Sequence, residues 1–197
     1  MLKYLRRLLW FIASRLLIFT FCASLVMLAF YMAMNTANIY ILISDGMQER
    51  ASMILTRESA SDLDDYFRDE FIAEDDALRI ALSDSSPWID YNITDYDYEL
   101  RMNWMWTWPW EDTATATITE TIGGITGRVV AESQSLVNDG VISSAPPAWQ
   151  GGEYEVVLYR TDGRWRIAGL KQTRIIVAET PVPEITAAPA QETPLEL

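Results

Sequence analysis

The sequence predicts an α+β protein in which a membrane-spanning helix precedes a few amphipathic helices and a four-stranded antiparallel sheet. Three observations predict it. An uncharged run extends from Leu16 to Ser44, helical periodicity follows to the low 80s, and beyond Pro87 the hydrophobic period changes to two.

The stretch Leu16–Met34, LLIFTFCASLVMLAFYMAM, is 19 residues without a charge. About 20 apolar residues cross a hydrocarbon core of roughly 30 Å, so residues 16–34 are read as a transmembrane anchor. The run exceeds the apolar core of about 7 to 15 residues in a signal peptide and lacks an A-x-A-like site, so the anchor is expected to stay uncleaved. Lys3, Arg6, Arg7 and Arg15 precede it, whereas Asp45 and Glu49 are the first charges after it. By the positive-inside rule, residues 1–15 are cytoplasmic and the rest lies outside a bacterial-type cytoplasmic membrane. Cys22, the only cysteine, lies inside the run behind Phe19, Thr20 and Phe21, which is no lipid-modification pattern, and is read as apolar filler.

Composition excludes much chemistry. Of 197 residues, 15 are Lys or Arg and 28 are Asp or Glu; four of the basic residues precede position 35 and every acidic one follows it. An exported part so acidic repels phosphate backbones, which excludes nucleic acid as a partner. The chain has no histidine and a single cysteine, so His-dependent triads, Cys/His zinc sites and an internal disulfide are excluded. No metal or cofactor is expected.

Residues 35–44 are expected as a membrane-proximal stalk. Asp45 and Gln48 have the form of a capping box, with Met47, Ala51, Ile54 and Leu55 following at helical spacing, so a helix of about 12 residues is expected there. Gly46 reads as a joint, the alternative being one uninterrupted helix from residue 16 to 56. A second helix is signalled by Ser61 and Asp64, with Leu63, Phe67 and Phe71 on one face beside Tyr66, and it extends through Leu78, Ala81 and Leu82. Asp62, Asp64, Asp65, Asp69, Glu74, Asp75 and Asp76 form no calcium-loop pattern and read as a solvated face.

Then the period is two. Tyr96, Tyr98, Leu100, Met102, Trp104, Trp106, Trp108 and Trp110 point one way; Asp97, Glu99, Arg101, Asn103 and Thr107 point the other. The tryptophans of NWMWTWPW are expected to pack inward against Leu63, Phe67 and Phe71, the alternatives being the lining of a ligand cavity or an exposed aromatic platform for sugar rings or lipid headgroups. Ala114 and Ala116 of TATATITETI would make room for them if they share that face, a register the turn leaves open. Residues 133–152 read as a connection. The hairpin YEVVLYR–TDGR–WRIAGL turns at Asp162 and Gly163 in type I′ form. It pairs Leu158 with Ile167, Arg160 with Trp165, and Tyr159 with Arg166, the last as a cation–π contact. Ile175 to Val177 prolong the last strand, and residues 178–197 are expected as a disordered, Pro-rich acidic tail.

This order of elements, with the motif Asp162-Gly163-Arg164-Trp165-Arg166-Ile167, resembles the NTF2-like superfamily over residues 45–177. The resemblance implies a curved sheet wrapped around helices as a cone, with a pocket at its open end. Bitopic members, the VirB8-like proteins of type IV secretion and conjugation machines, are similar in plan and work by assembly. The corresponding expectation is a membrane-anchored, non-enzymatic assembly or scaffold module, with the lipid bilayer and protein partners or further copies of the chain as its contacts. The alternative is a small-molecule or glycan ligand held on the concave face by Trp104, Trp106, Trp108, Tyr98, Phe67 and Phe71. Enzyme members, similar to ketosteroid isomerases, use Asp, His and Tyr in the cone. Here Asp95 or Asp97 near Tyr96 and Tyr98 supplies residue types only, and no enzymatic activity is expected.

Overall fold

The computed structural model describes residues 2–58, 62–108 and 110–176. It is α+β: a long helix α1 (Leu2–Thr56), short helices α2 (Leu63–Tyr66), α3 (Asp69–Glu74) and α4 (Asp76–Ala81), strands β1 (Tyr91–Trp106) and β2 (Thr113–Val129), helix α5 (Gln134–Asn138), and strands β3 (Gly151–Thr161) and β4 (Arg164–Ile176). The strands form one open antiparallel sheet in the order β1-β2-β3-β4.

Helix α1 is unbroken. Beyond Lys3, Arg6, Arg7 and Arg15 it is uncharged on all sides and largely exposed as far as Met34, and Leu9–Thr56 contains a stretch long and apolar enough to cross a membrane. Its second part buries one stripe, Ile39, Ile43, Met47, Ala51, Ile54 and Leu55, at the three- and four-residue spacing of one helix face. The expected joint and new helix start at Asp45 are absent; of the two alternatives the uninterrupted helix is the one observed. Gly46 has a packing role instead: a Cβ there would lie 2.8 Å from the Cβ of Tyr66. Nor are residues 35–44 a stalk outside the domain. Ile39 and Ile43 are fully buried, and Asn35 Oδ1 accepts a hydrogen bond from Trp165 Nε1 at 3.1 Å.

The second expected helix is three short ones. Phe67 leaves the helical region (φ −111°, ψ 157°) to make a parallel bridge with Ile167, and this turns the chain between α2 and α3. Phe67 is fully buried and stacks on Phe71 with centroids 5.1 Å apart. Asp75 caps α4, its carboxylate accepting from the Ala77 amide at 2.9 Å. The Ser61 end of this region and the expected tail at 178–197 lie outside the described residues.

The β3–β4 hairpin has the expected pairs, Leu158–Ile167, Tyr159–Arg166 and Arg160–Trp165. Its turn residues have φ of 52° at Asp162 and 78° at Gly163, the left-handed pair a type I′ turn requires. The cation–π contacts are different ones: Arg68 lies 5.7 Å over the Tyr159 ring, and Arg160 lies 5.2 Å over that of Trp165.

The tryptophan stripe faces the other way from the expectation. The pairing of β1 with β2 runs regularly from Asp97–Gly123 to Met102–Ile118 and then shifts, so that Trp104 pairs with Thr117 and Met105 with Ala116. Asn103 is the extra residue of a β-bulge, and its Nδ2 donates to Thr119 Oγ1 at 2.7 Å. One inserted residue exchanges the two faces of everything beyond it. Tyr96, Tyr98, Leu100 and Met102 therefore face the core as expected, but past the bulge it is Met105 and Thr107 that do so. Trp104, Trp106, Trp108 and Trp110 are 64, 50, 36 and 66 % exposed, whereas Thr107 is 7 % exposed. Ala114 and Ala116 are buried on the face opposite the tryptophans, packed towards the helices instead.

Candidate functional site

The strict alternation of β2 places Ala114, Ala116, Ile118, Glu120 and Ile122 on the buried face, and so carries a carboxylate into the core. Glu120 is fully buried, and neither of its oxygens has a hydrogen-bond partner; the Tyr98 hydroxyl, on the neighbouring strand and facing it, is likewise unpartnered. Burial pushes the Glu120 carboxyl up to about 7, against the opposing pull of the Arg50 guanidinium. The Tyr98 hydroxyl is raised by burial and then by the charge of Glu120.

Arg50 reaches the same region from α1. It is buried and forms a two-pronged pair with Asp75, Nε to Oδ2 at 2.7 Å and a terminal nitrogen to Oδ1 at 3.1 Å. Burial lowers the basicity of Arg50, but the Asp75 hydrogen bond and charge, with Glu120 and Tyr154, more than offset it. Burial likewise pushes the Tyr154 hydroxyl up to about 12, and that hydroxyl accepts a bond from Gln172 Nε2 at 3.4 Å. Asp75 thus leaves the acidic run that reads as a solvated face, because its capping position at α4 turns it towards α1.

Two adjoining cavities meet at Arg50, Ala77, Tyr154 and Gln172. One, of about 670 Å³, is polar: Glu70, Glu74, Asp75 and Asp76 line it beside Phe71 and Leu170. The other, of about 230 Å³, is apolar, walled by Ile54, Ile80, Pro87, Trp88 and Trp149. Trp88 and Trp149 stack with centroids 5.5 Å apart, and Trp88 Nε1 donates to the Pro147 carbonyl at 3.2 Å. The aromatic wall of the cleft is therefore built by tryptophans other than the stripe.

The expected ligand-binding residues do not form one site. Phe67 and Tyr98 belong to the core, Phe71 borders the polar cavity, and Trp104, Trp106 and Trp108 lie on the outer face. Beside the stripe lies a shallow groove that Trp104 shares with Thr36, Tyr40, Leu100, Met102 and Met105. Asp95 and Asp97 are exposed while Tyr96 and Tyr98 face inward, so these acids and phenols stand on opposite faces of β1. Among the described residues, no cluster of three or more His, Cys, Asp or Glu side chains is placed to hold a metal ion.

Glu120 is not among the residues the sequence singles out; the period-two pattern of Ala114, Ala116 and Ile118, continued by two residues, is the signal that points to it. The Arg50–Asp75 pair leaves no such signal, since nothing local joins residues 25 positions apart. No protein-family model, curated protein or solved structure matches the chain.

Proposed function

We propose that the chain is a membrane-anchored, non-enzymatic assembly module of NTF2-like plan, single-pass, with its N-terminus in the cytoplasm and its sheet domain outside. The observation that carries this reading is that one helix serves both as the apolar N-terminal segment and as the core of the sheet domain. A domain held on a flexible tether samples many orientations, whereas one built around a continuous helix has a fixed pose relative to the bilayer. A fixed pose suits a component that must meet neighbours in register. The helices-then-meander order and the sheet laid over α1 support the NTF2-like plan, and the basic residues ahead of the span support the orientation.

A second reading is favoured by the cleft. A hollow with one apolar, aromatic wall and a few convergent polar groups at Arg50, Tyr154 and Gln172 has the make-up of a small-molecule site. Native mass spectrometry of the full chain released from membranes with its lipid annulus separates the two. The assembly reading predicts species heavier than the 22.5 kDa chain by whole protein subunits. A monomer carrying a small-molecule mass would favour the cleft, and a bare monomer would contradict both.

A further inference from the structure

We propose that the tryptophan hairpin is a second membrane contact, in which Trp104, Trp106, Trp108 and Trp110 lie in the headgroup interface of the leaflet from which α1 emerges. The proposal rests on reading α1 as membrane-spanning.

Three links fix the height of the β1–β2 tip along α1. Trp165, at the tip of the β3–β4 hairpin, bonds Asn35 of α1. Arg160, in the same hairpin, pairs with Asp112 at 3.0 Å and so ties that tip to the β1–β2 turn. Thr36 and Tyr40 share the shallow groove with Met102, Trp104 and Met105. Asn35 directly follows Met34, the last residue of the expected span. At 1.5 Å per residue even Tyr40 lies only about 9 Å beyond Met34 along the axis. A headgroup layer is roughly 5 to 8 Å deep on each side of the hydrocarbon, so the exposed tryptophans stand in it or against it.

The chemistry fits that position. Indole has an apolar body and an N–H that seeks an acceptor, and it is enriched where hydrocarbon gives way to ester carbonyls and phosphates. Trp106 meets Trp108 edge-on at 5.2 Å and Trp108 stacks on Trp110 at 5.0 Å, so the ladder forms one aromatic surface. Exposed on a soluble protein, so large an apolar patch marks an interaction surface. Charge distribution agrees: Glu70, Glu74 and Asp76 gather at the cleft around Arg50, about 22 Å further along α1 than Asn35. At the tip Arg160 and exposed Arg164 stand against Glu111, Asp112 and Asp162, which leaves one negative charge and no basic cluster for anionic lipid. The contact is therefore aromatic rather than electrostatic, and neutral lipid suffices for it.

The test uses the full chain carrying Trp10→Phe, reconstituted in phosphatidylcholine vesicles doped with lipid spin-labelled either near the headgroup or near the chain end. The proposal expects blue-shifted tryptophan emission, quenched more by the shallow label than by the deep one and insensitive to salt. Replacing Trp104, Trp106, Trp108 and Trp110 with Ser should remove most of that quenching, while the protein still resists alkaline extraction through α1. If the fourfold variant does not fold, the label-depth comparison on the Trp10→Phe chain decides alone. Retention on alkaline extraction combined with quenching by aqueous acrylamide would overturn the hairpin contact but leave the anchor standing. Shielding from both lipid and water would overturn it in favour of a protein surface, such as a second copy, over the ladder. Release of the chain by alkali would overturn the anchor and the hairpin contact together.

Discussion

The two ends of the sheet domain break the rule of apolar inside and polar outside in opposite senses. At the end around Arg50, a guanidinium and two carboxylates are buried, one of them without a hydrogen bond. At the end beside Asn35, four of the eight tryptophans are exposed in a row. The first departure costs stability wherever its charges are not matched, whereas the second costs little once a lipid interface replaces water. Fold stability is thus decided at the charged end and the outward contact at the aromatic end. Substitutions at the two ends should therefore separate stability from membrane contact.

The largest effect is expected at the charged end. Arg50→Met strands Asp75 in a buried site and should cost about 3 to 5 kcal/mol, much of a stability that in such domains totals about 5 to 15. Urea melts measure it. Arg50→Met/Asp75→Leu removes both charges and should recover much of the loss, short by about 1 kcal/mol for the α4 cap that Asp75 supplies, because an unpaired ion costs more than an absent pair.

Glu120 comes next, and its effect has a sign. Its carboxyl titrates at about 7 in the folded protein, above the ordinary glutamate range of the unfolded chain. Between those values the folded state binds more protons, so stability from this group is fully present below pH 4 to 5 and is lost as pH rises through about 7. The loss amounts to about 2 to 4 kcal/mol. Glu120→Gln should flatten this part of the pH–stability curve and raise the melting temperature at pH 8. An unchanged curve would mean that Glu120 is solvated.

At the aromatic end the effects on folding are small, and their order reverses what the unbroken period predicts. Trp106→Ala should change stability by less than about 1 kcal/mol, while Thr107→Ala, which loses a buried bond to the Thr113 carbonyl, should cost about 1. Deleting Asn103 gives the sharpest version. Without the bulge Met102, Met105 and Thr107 alternate regularly with Trp104 and Trp106, so the deletion should cost only about 1 kcal/mol, for the Asn103–Thr119 bond. Were the tryptophans core-facing on a regular strand, the same deletion would turn them out and unfold the domain.

What could be read in the sequence follows from how local each signal is. The β3–β4 register was legible because an Asp-Gly turn fixes it within a few residues. The α+β class and the apolar N-terminal helix were legible from periodicity and length. The alternation of β2 was legible, but which set faces inward, and hence the burial of Glu120, was not, because the turn before it leaves the register open. Nor was the orientation of the tryptophans, since a bulge at Asn103 leaves no mark in the polar–apolar pattern and one residue is enough to exchange the faces. Gly46 read as a joint because glycine weakens a helix by only about 1 kcal/mol, while the contact with Tyr66 that makes use of it lies 20 positions away. The Arg50–Asp75 pair and the cleft around it are equally non-local.

All of these placements depend on α1 being a single rigid rod from the apolar segment into the core. Nitroxides at Ala33 and Gln48, both exposed, bracket the junction and Gly46. Dipolar distance measurement on the full chain in vesicles should give one narrow distribution consistent with a backbone separation of about 22 Å, that of 15 helical residues. A broad distribution, or a maximum well short of it, would show a hinge between membrane segment and domain and would contradict the account.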